Sequence, residues 1–146
     1  MAVYVATVPS PAPPPVVFAY IADFRSVATW DPSVKSASLI TDGDPVRLGA
    51  RFHVNAGGIP LDYEITELVP NEKVVLYAKH FSMVSLDTIT FVPRTDGGTD
   101  MTYHATVTLR GPFKVITPLL NKAFNGVGDR AKAGLEKALA ALPVAA

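Results

Sequence analysis

Residues 101 to 109 read MTYHATVTL, and no other stretch constrains the fold as much. Met101, Tyr103, Ala105, Val107 and Leu109 alternate with Thr102, His104, Thr106 and Thr108. One face of this strand is apolar and the other polar, as in an antiparallel sheet covered on a single side. The cover has to come from the tail. There Ile116, Leu119, Leu120, Ala123, Phe124, Val127, Ala131, Leu135, Ala138 and Leu142 recur at three- and four-residue steps, which predicts one long amphipathic helix. Pro118 either kinks that helix or marks its start. Gly126, Gly128 and Gly134 each weaken a helix by about 1 kcal/mol relative to Ala. Two readings fit them: room for something between helix and sheet, or close backbone approach.

The rest of the chain reads as strand, two short helices and further strands. Val3 to Val8 is β-branched and ends at Pro9. The prolines from Pro13 to Pro15 cannot enter a sheet interior but can start a helix, where the first N–H groups lack partners anyway. Val16 to Ile21 and Val27 to Trp30 then predict two short helices, the second stopped before Asp31-Pro32. Strands follow at Val34–Thr41, Arg51–Asn55, Leu61–Leu68, Lys73–His80 and Thr88–Val92, separated by turns rich in Gly, Asp, Asn and Pro. No linker or internal repeat appears, so residues 1–146 are read as a single domain.

The chain is 49% apolar with a mean hydropathy of +0.26. No apolar run approaches the roughly 20 residues that span a bilayer. The excess is either a well-filled core or the wall of an internal pocket. Formal net charge is zero, so nucleic acid is not an expected partner. Arg110, Lys114, Lys122, Arg130, Lys132 and Lys137 outnumber Asp129 and Glu136 in the tail. This basic helix is either a solvated face or a surface for transient contact with an anionic membrane. There is no cysteine, and MAVYVATVPSPAPPP lacks a basic start followed by an apolar stretch, so a cytoplasmic location is the default expectation.

Catalytic signatures are scarce. There is no GxSxG, P-loop or HExxH pattern. GVGDRA, from Gly126 to Ala131, nominally fits a dinucleotide motif but follows a helical run rather than a strand. His53 and His104 fall on the polar face, so no metal site is expected, and no cofactor is called for. By strand parity His80 and Asp87 can point inward. An inward imidazole is a possible acid or base, and an inward carboxylate needs a partner or a raised pKa. Tyr63 and Tyr103 share the apolar face and carry hydroxyls. These four are the polar candidates for chemistry. Arg110, closing the last strand, can meet a ligand carboxylate or simply face water.

Five stretches together carry a family resemblance: VVFAYIADFRSVATWDPSV, GDPVRLGARF, YEITELVPNEKVV, GGTDMTYHATVTL and GLEKAL. In order and spacing the chain resembles the START-related (SRPBCC) superfamily, in particular its bacterial polyketide cyclase/dehydrase-like and lipid-transport branch. The resemblance implies an α+β helix-grip fold. In that fold a curved antiparallel sheet of about seven strands wraps a long C-terminal helix around an apolar cavity, with two short helices between strands 1 and 2. It also places Trp30, a rigid side chain with one N–H, at the cavity wall or rim.

The expected ligand shell comprises Phe52, Tyr63, Leu76, Ile89, Phe91, Met101 and Tyr103 from the strands. Trp30, Leu119, Leu120 and Phe124 complete it from the helices. Three functions are open on this reading. The first is binding or transport of an apolar or amphipathic small molecule such as a lipid, acyl chain, isoprenoid or polyketide. The second is a polyketide aromatase/cyclase or dehydratase. The third is an interaction or regulatory module with a vestigial cavity, and monomer and homodimer both remain open.

Overall fold

A computed structural model of the chain describes residues 1–144. Seven strands form one antiparallel sheet: β1 (Ala2–Ser10), β2 (Val34–Leu39), β3 (Arg51–Ala56), β4 (Ile59–Val69), β5 (Lys73–Lys79), β6 (Met83–Pro93) and β7 (Thr99–Leu109). Their spatial order is β1-β7-β6-β5-β4-β3-β2, so β1 and β2 are the two edges. The segment between them has to cross from one edge of the sheet to the other. It does so as α1 (Pro14–Ala22), a 3-10 turn (Phe24–Ser26) and α2 (Val27–Trp30). A second 3-10 segment (Gly111–Ile116) leads from β7 into α3 (Thr117–Ala140).

The proline ramp works as its chemistry dictates. Pro13 is extended and its carbonyl accepts from the N–H groups of Val16 and Val17 at 3.0 and 3.2 Å. α1 therefore begins at Pro14, two residues before the apolar run suggests. Pro9 does not end β1, which continues to pair Pro9 with Asp100 and Ser10 with Thr99. An edge strand tolerates proline because the missing N–H need only face water. Pro118 sits in the first turn of α3 and marks the helix start rather than a kink.

The crossing segment fills one end of the concave face. Phe18 of α1 meets Phe91 edge-on at 5.3 Å. Phe24 meets Phe52 at 6.3 Å and Tyr63 at 5.0 Å. Around these rings Ile65, Leu76, Ile89 and Met101 have no exposed surface.

α3 is seated on β1 and α2 through its C-terminal half. Leu135 and Leu139 are buried, and the Leu139 carbonyl accepts from Ser10 Oγ at 2.7 Å. The glycine question resolves toward close approach at two positions. A Cβ on Gly128 would collide with the Tyr4 ring, and one on Gly134 would collide with the Trp30 carbonyl oxygen. The N-terminal half of the predicted apolar stripe is different. Leu120, Phe124 and Val127 are only half-buried, and Ile116, Leu119 and Ala123 are exposed. Among the described residues no helix is long and apolar enough to cross a membrane.

These contacts set opposite signs for two similar substitutions. Gly134→Ala drives a methyl into backbone that cannot step aside and is expected to destabilise by on the order of 2 kcal/mol. At Gly126 the nearest atom to a new Cβ is the Arg130 guanidinium at 3.5 Å, so Gly126→Ala should stabilise by about 1 kcal/mol. Urea denaturation midpoints test both, and a neutral Gly134→Ala would refute the close-approach account.

Candidate functional site

Between the uncovered end of the sheet and the N-terminal half of α3 lies a cavity of about 300 Å³, partly open to solvent. That is the small end of the range for small-molecule pockets. Its floor is built from Leu61, Tyr63, Ser85, Asp87, Tyr103 and Val107 on β4, β6 and β7. Leu120, Phe124 and Val127 of α3 form the roof, and Phe24, Val27 and Asp31 close the side toward the crossing segment.

Two hydroxyl contacts organise the floor. The Tyr103 O–H donates to Asp87 Oδ2 at 2.5 Å. Tyr63 and Ser85 share a hydrogen bond of 2.7 Å in which either hydroxyl can donate. The strand register explains the second. Tyr63 is opposite Ala78, which is opposite Ser85, so the methyl of Ala78 lets the phenol reach over β5 to β6. At the rim, Asp31 Oδ1 accepts from the Ser33 N–H at 2.9 Å and the Ser33 hydroxyl at 2.7 Å.

Burial dominates the electrostatics. Desolvation pushes the Asp87 carboxyl up to about 7; the Tyr103 hydrogen bond opposes this and the charge of Asp31 adds to it. Burial, followed by the neighbouring Asp87 charge, holds the hydroxyls of Tyr63 and Tyr103 above the ordinary phenol range. The floor thus combines a carboxyl that changes protonation near neutral pH with phenols that stay protonated. Such a pair can donate hydrogen bonds to a ligand oxygen or exchange a proton with it.

A smaller cavity of about 70 Å³ adjoins the first and shares Asp31, Tyr103, Ala105, Phe124 and Val127 with it. Trp30 lines it and packs edge-on against Tyr103 at 5.4 Å. Its indole N–H is buried with no acceptor.

The residues expected from sequence therefore separate. Tyr63, Asp87, Tyr103, Leu120 and Phe124 line the larger cavity, and Trp30 lines the smaller. Phe52, Leu76, Ile89, Phe91 and Met101 point inward but lie in the packed core. Leu119 faces out of the cavity, one position from the roof residue Leu120. His80 lies just beyond β5, outside the cavity walls, with Nδ1 in a hydrogen bond to Ser82 Oγ at 2.7 Å. The Arg110 guanidinium donates to the His80 carbonyl at 2.9 Å, tying the β5–β6 turn to the end of β7. Ser85 is a polar wall residue that sequence reading passed over, although it shares parity with Asp87, Ile89 and Phe91. No group of three His, Cys, Asp or Glu side chains capable of holding a metal occurs among the described residues.

Residues 1–141 match the sequence model of a family described as polyketide cyclase / dehydrase and lipid transport. No curated protein sequence matches the chain. Among solved structures, a START superfamily protein from Mycobacterium smegmatis is similar, with a TM-score of 0.75 and 14% identity over 95% of this chain and 97% of that one. A protein from Nitrosospira multiformis gives 0.70 and 15% over 95% and 97%. One from Thermobifida fusca gives 0.63 and 21% over 95% of each chain. At these identities the likeness establishes the shared helix-grip fold.

The buried carboxyl gives the fold a pH dependence of known sign. Asp87 binds its proton more tightly folded than at its ordinary value of 3.8. Its contribution to stability is complete below about 3.8 and is lost as pH rises through about 7. The loss is on the order of 4 kcal/mol. Asp87→Asn should flatten the melting temperature between pH 5 and pH 8 and raise it at the alkaline end, as followed by circular dichroism. A wild-type profile with no fall over that window would contradict the burial of this group.

Proposed function

Because the chain belongs to the polyketide cyclase / dehydrase and lipid transport family, we propose that it binds or carries an apolar or amphipathic small molecule, such as a lipid, acyl chain, isoprenoid or polyketide. The observation that carries the reading is the cavity of about 300 Å³ under a loosely seated stretch of α3. Its walls are mainly aliphatic and aromatic. Burying a chain there is worth about 0.8 kcal/mol per CH2 before the costs of association. In this reading Trp30, Tyr63, Tyr103, Leu120 and Phe124 contact the ligand. The lining of the larger cavity includes Asp31 and Asp87 and no Lys, Arg or His, while Lys132 lines the smaller one. An anionic head seated in the larger cavity would meet carboxyls and find no cation, which favours an uncharged one there.

A second reading, a cyclase or dehydratase acting on a polyketide-like chain, is favoured by one observation. Asp87 and Tyr103 are hydrogen-bonded to each other at the floor of the same cavity. Such a pair is placed to polarise a carbonyl oxygen or move a proton beside it. His80 has no part in this reading.

Native mass spectrometry of the purified protein, followed by solvent extraction, tests the binding function. A discrete apolar adduct supports it. A clean apo mass together with no uptake of an apolar fluorescent probe favours an interaction module instead. Tyr103→Trp is expected to narrow the cavity and weaken probe uptake by about tenfold; unchanged uptake would displace the ligand from this site. In competition with the probe, a long-chain methyl ester should outcompete the free acid of equal length. Equal competition would remove the preference for an uncharged head.

A further inference from the structure

The chain leaves large apolar side chains exposed in the β5–β6 turn and in the segment that leads into the cavity roof. Phe81, in the turn between β5 and β6, is 72% exposed, Val115 is 81% exposed and Leu119 is 69% exposed. Phe113 and Ile116 are exposed between them. The turn and the segment are joined where Phe81 and Phe113 pack ring edge to ring face at 5.7 Å. Arg110 reinforces the joint, its backbone N–H donating to the Ser82 carbonyl at 2.9 Å and its guanidinium to the His80 carbonyl. Large side chains at such exposure scattered singly need no explanation, but gathered in one patch they mark a site of contact.

Charge selects the partner. Lys79, Lys114 and Lys122 are exposed within three residues along the chain of Phe81, Phe113 and Leu119, and Arg110 is half-buried where the turn meets the end of β7. From Met101 to Gly128 the chain contains no Asp or Glu, and none occurs from Lys73 to Leu86. A second copy of the chain is a poor fit, because a twofold interface would set these cations against themselves. Exposed aromatic and aliphatic side chains flanked in sequence by lysines suit the interface of an anionic bilayer. There the apolar groups enter the acyl boundary and the ammonium groups stay among the headgroups.

We propose that the surface formed by Phe81, Phe113, Val115, Ile116 and Leu119, with Lys79, Lys114 and Lys122, docks the protein onto an anionic lipid membrane. The docking face adjoins the cavity. Met83 and Leu120, two and one positions beyond Phe81 and Leu119, are cavity walls. The surface stands independently of what the cavity holds, since vesicle binding is measured without any ligand.

Flotation with vesicles of phosphatidylcholine, alone or with one third phosphatidylglycerol, tests it. The protein should float with the anionic vesicles only, and less at high salt. Lys114→Gln and Lys122→Gln should each weaken binding about fivefold. The pair Phe81→Ser and Leu119→Ser should weaken it by about tenfold or more. Both positions are exposed, so folding is expected to survive, and melting curves verify it. The Phe81→Trp variant adds a direct reporter, whose emission beyond that of Trp30 should shift to the blue with anionic vesicles alone. Absence of anionic-dependent flotation, or an unshifted emission from the Phe81→Trp variant, overturns the proposal. So does a concentration-dependent dimer that Phe81→Ser abolishes, which would make this face a self-interface.

Discussion

The pairing of β1 with β7 governs the molecule. Once the first strand lies beside the last, the chain has to reach β2 at the far edge of a seven-stranded sheet. The shortest route passes over the concave face, so α1, the 3-10 turn and α2 become a lining rather than a loop. The same pairing delivers the end of β7 next to β1, so α3 returns over β1 and α2. Two covers thus arrive from opposite ends of the chain. They meet where Gly134 touches the Trp30 carbonyl, and the uncovered area between them is the cavity. Nothing in this scheme requires an empty interior to be stabilised for its own sake. The space is what two short covers leave over a wide sheet.

Within that space the polar groups are few and placed by register. Asp87 is costly to ionise where it lies, and Tyr103 offsets part of the cost with a single hydrogen bond. Tyr63 and Ser85 satisfy one another across a row whose middle member is alanine. Trp30 keeps a buried N–H without an acceptor.

Much of the architecture was legible because β7 and α3 obey clean periods of two and 3.6. The proline cluster likewise announced a helix start. The misread boundary is informative. β6 begins at Met83, five residues before the expected Thr88, because Ser85 and Asp87 occupy inward positions where a core strand would carry aliphatic side chains. The interruption of the pattern was the cavity itself. Parity tells which face a residue joins, but not how far along the sheet a distant helix covers it. That is why Phe52, Leu76, Ile89, Phe91 and Met101, all correctly inward, lie beneath α1 and its neighbours rather than at the cavity wall. Helical spacing has the same limit: Leu119 and Leu120 belong to one stripe, yet one faces outward and the other forms the roof.

The uneven seating of α3 has an evolutionary consequence. Its C-terminal half is held by glycine contacts, a serine hydrogen bond and buried leucines, where nearly any change is felt by the whole fold. Its N-terminal half carries Leu120, Phe124 and Val127 over open space, where side-chain size can drift with little penalty to folding. Variation in cavity size and preservation of the scaffold are thereby assigned to different turns of one helix. Solved structures at 14–21% identity share the fold, as such a partition permits.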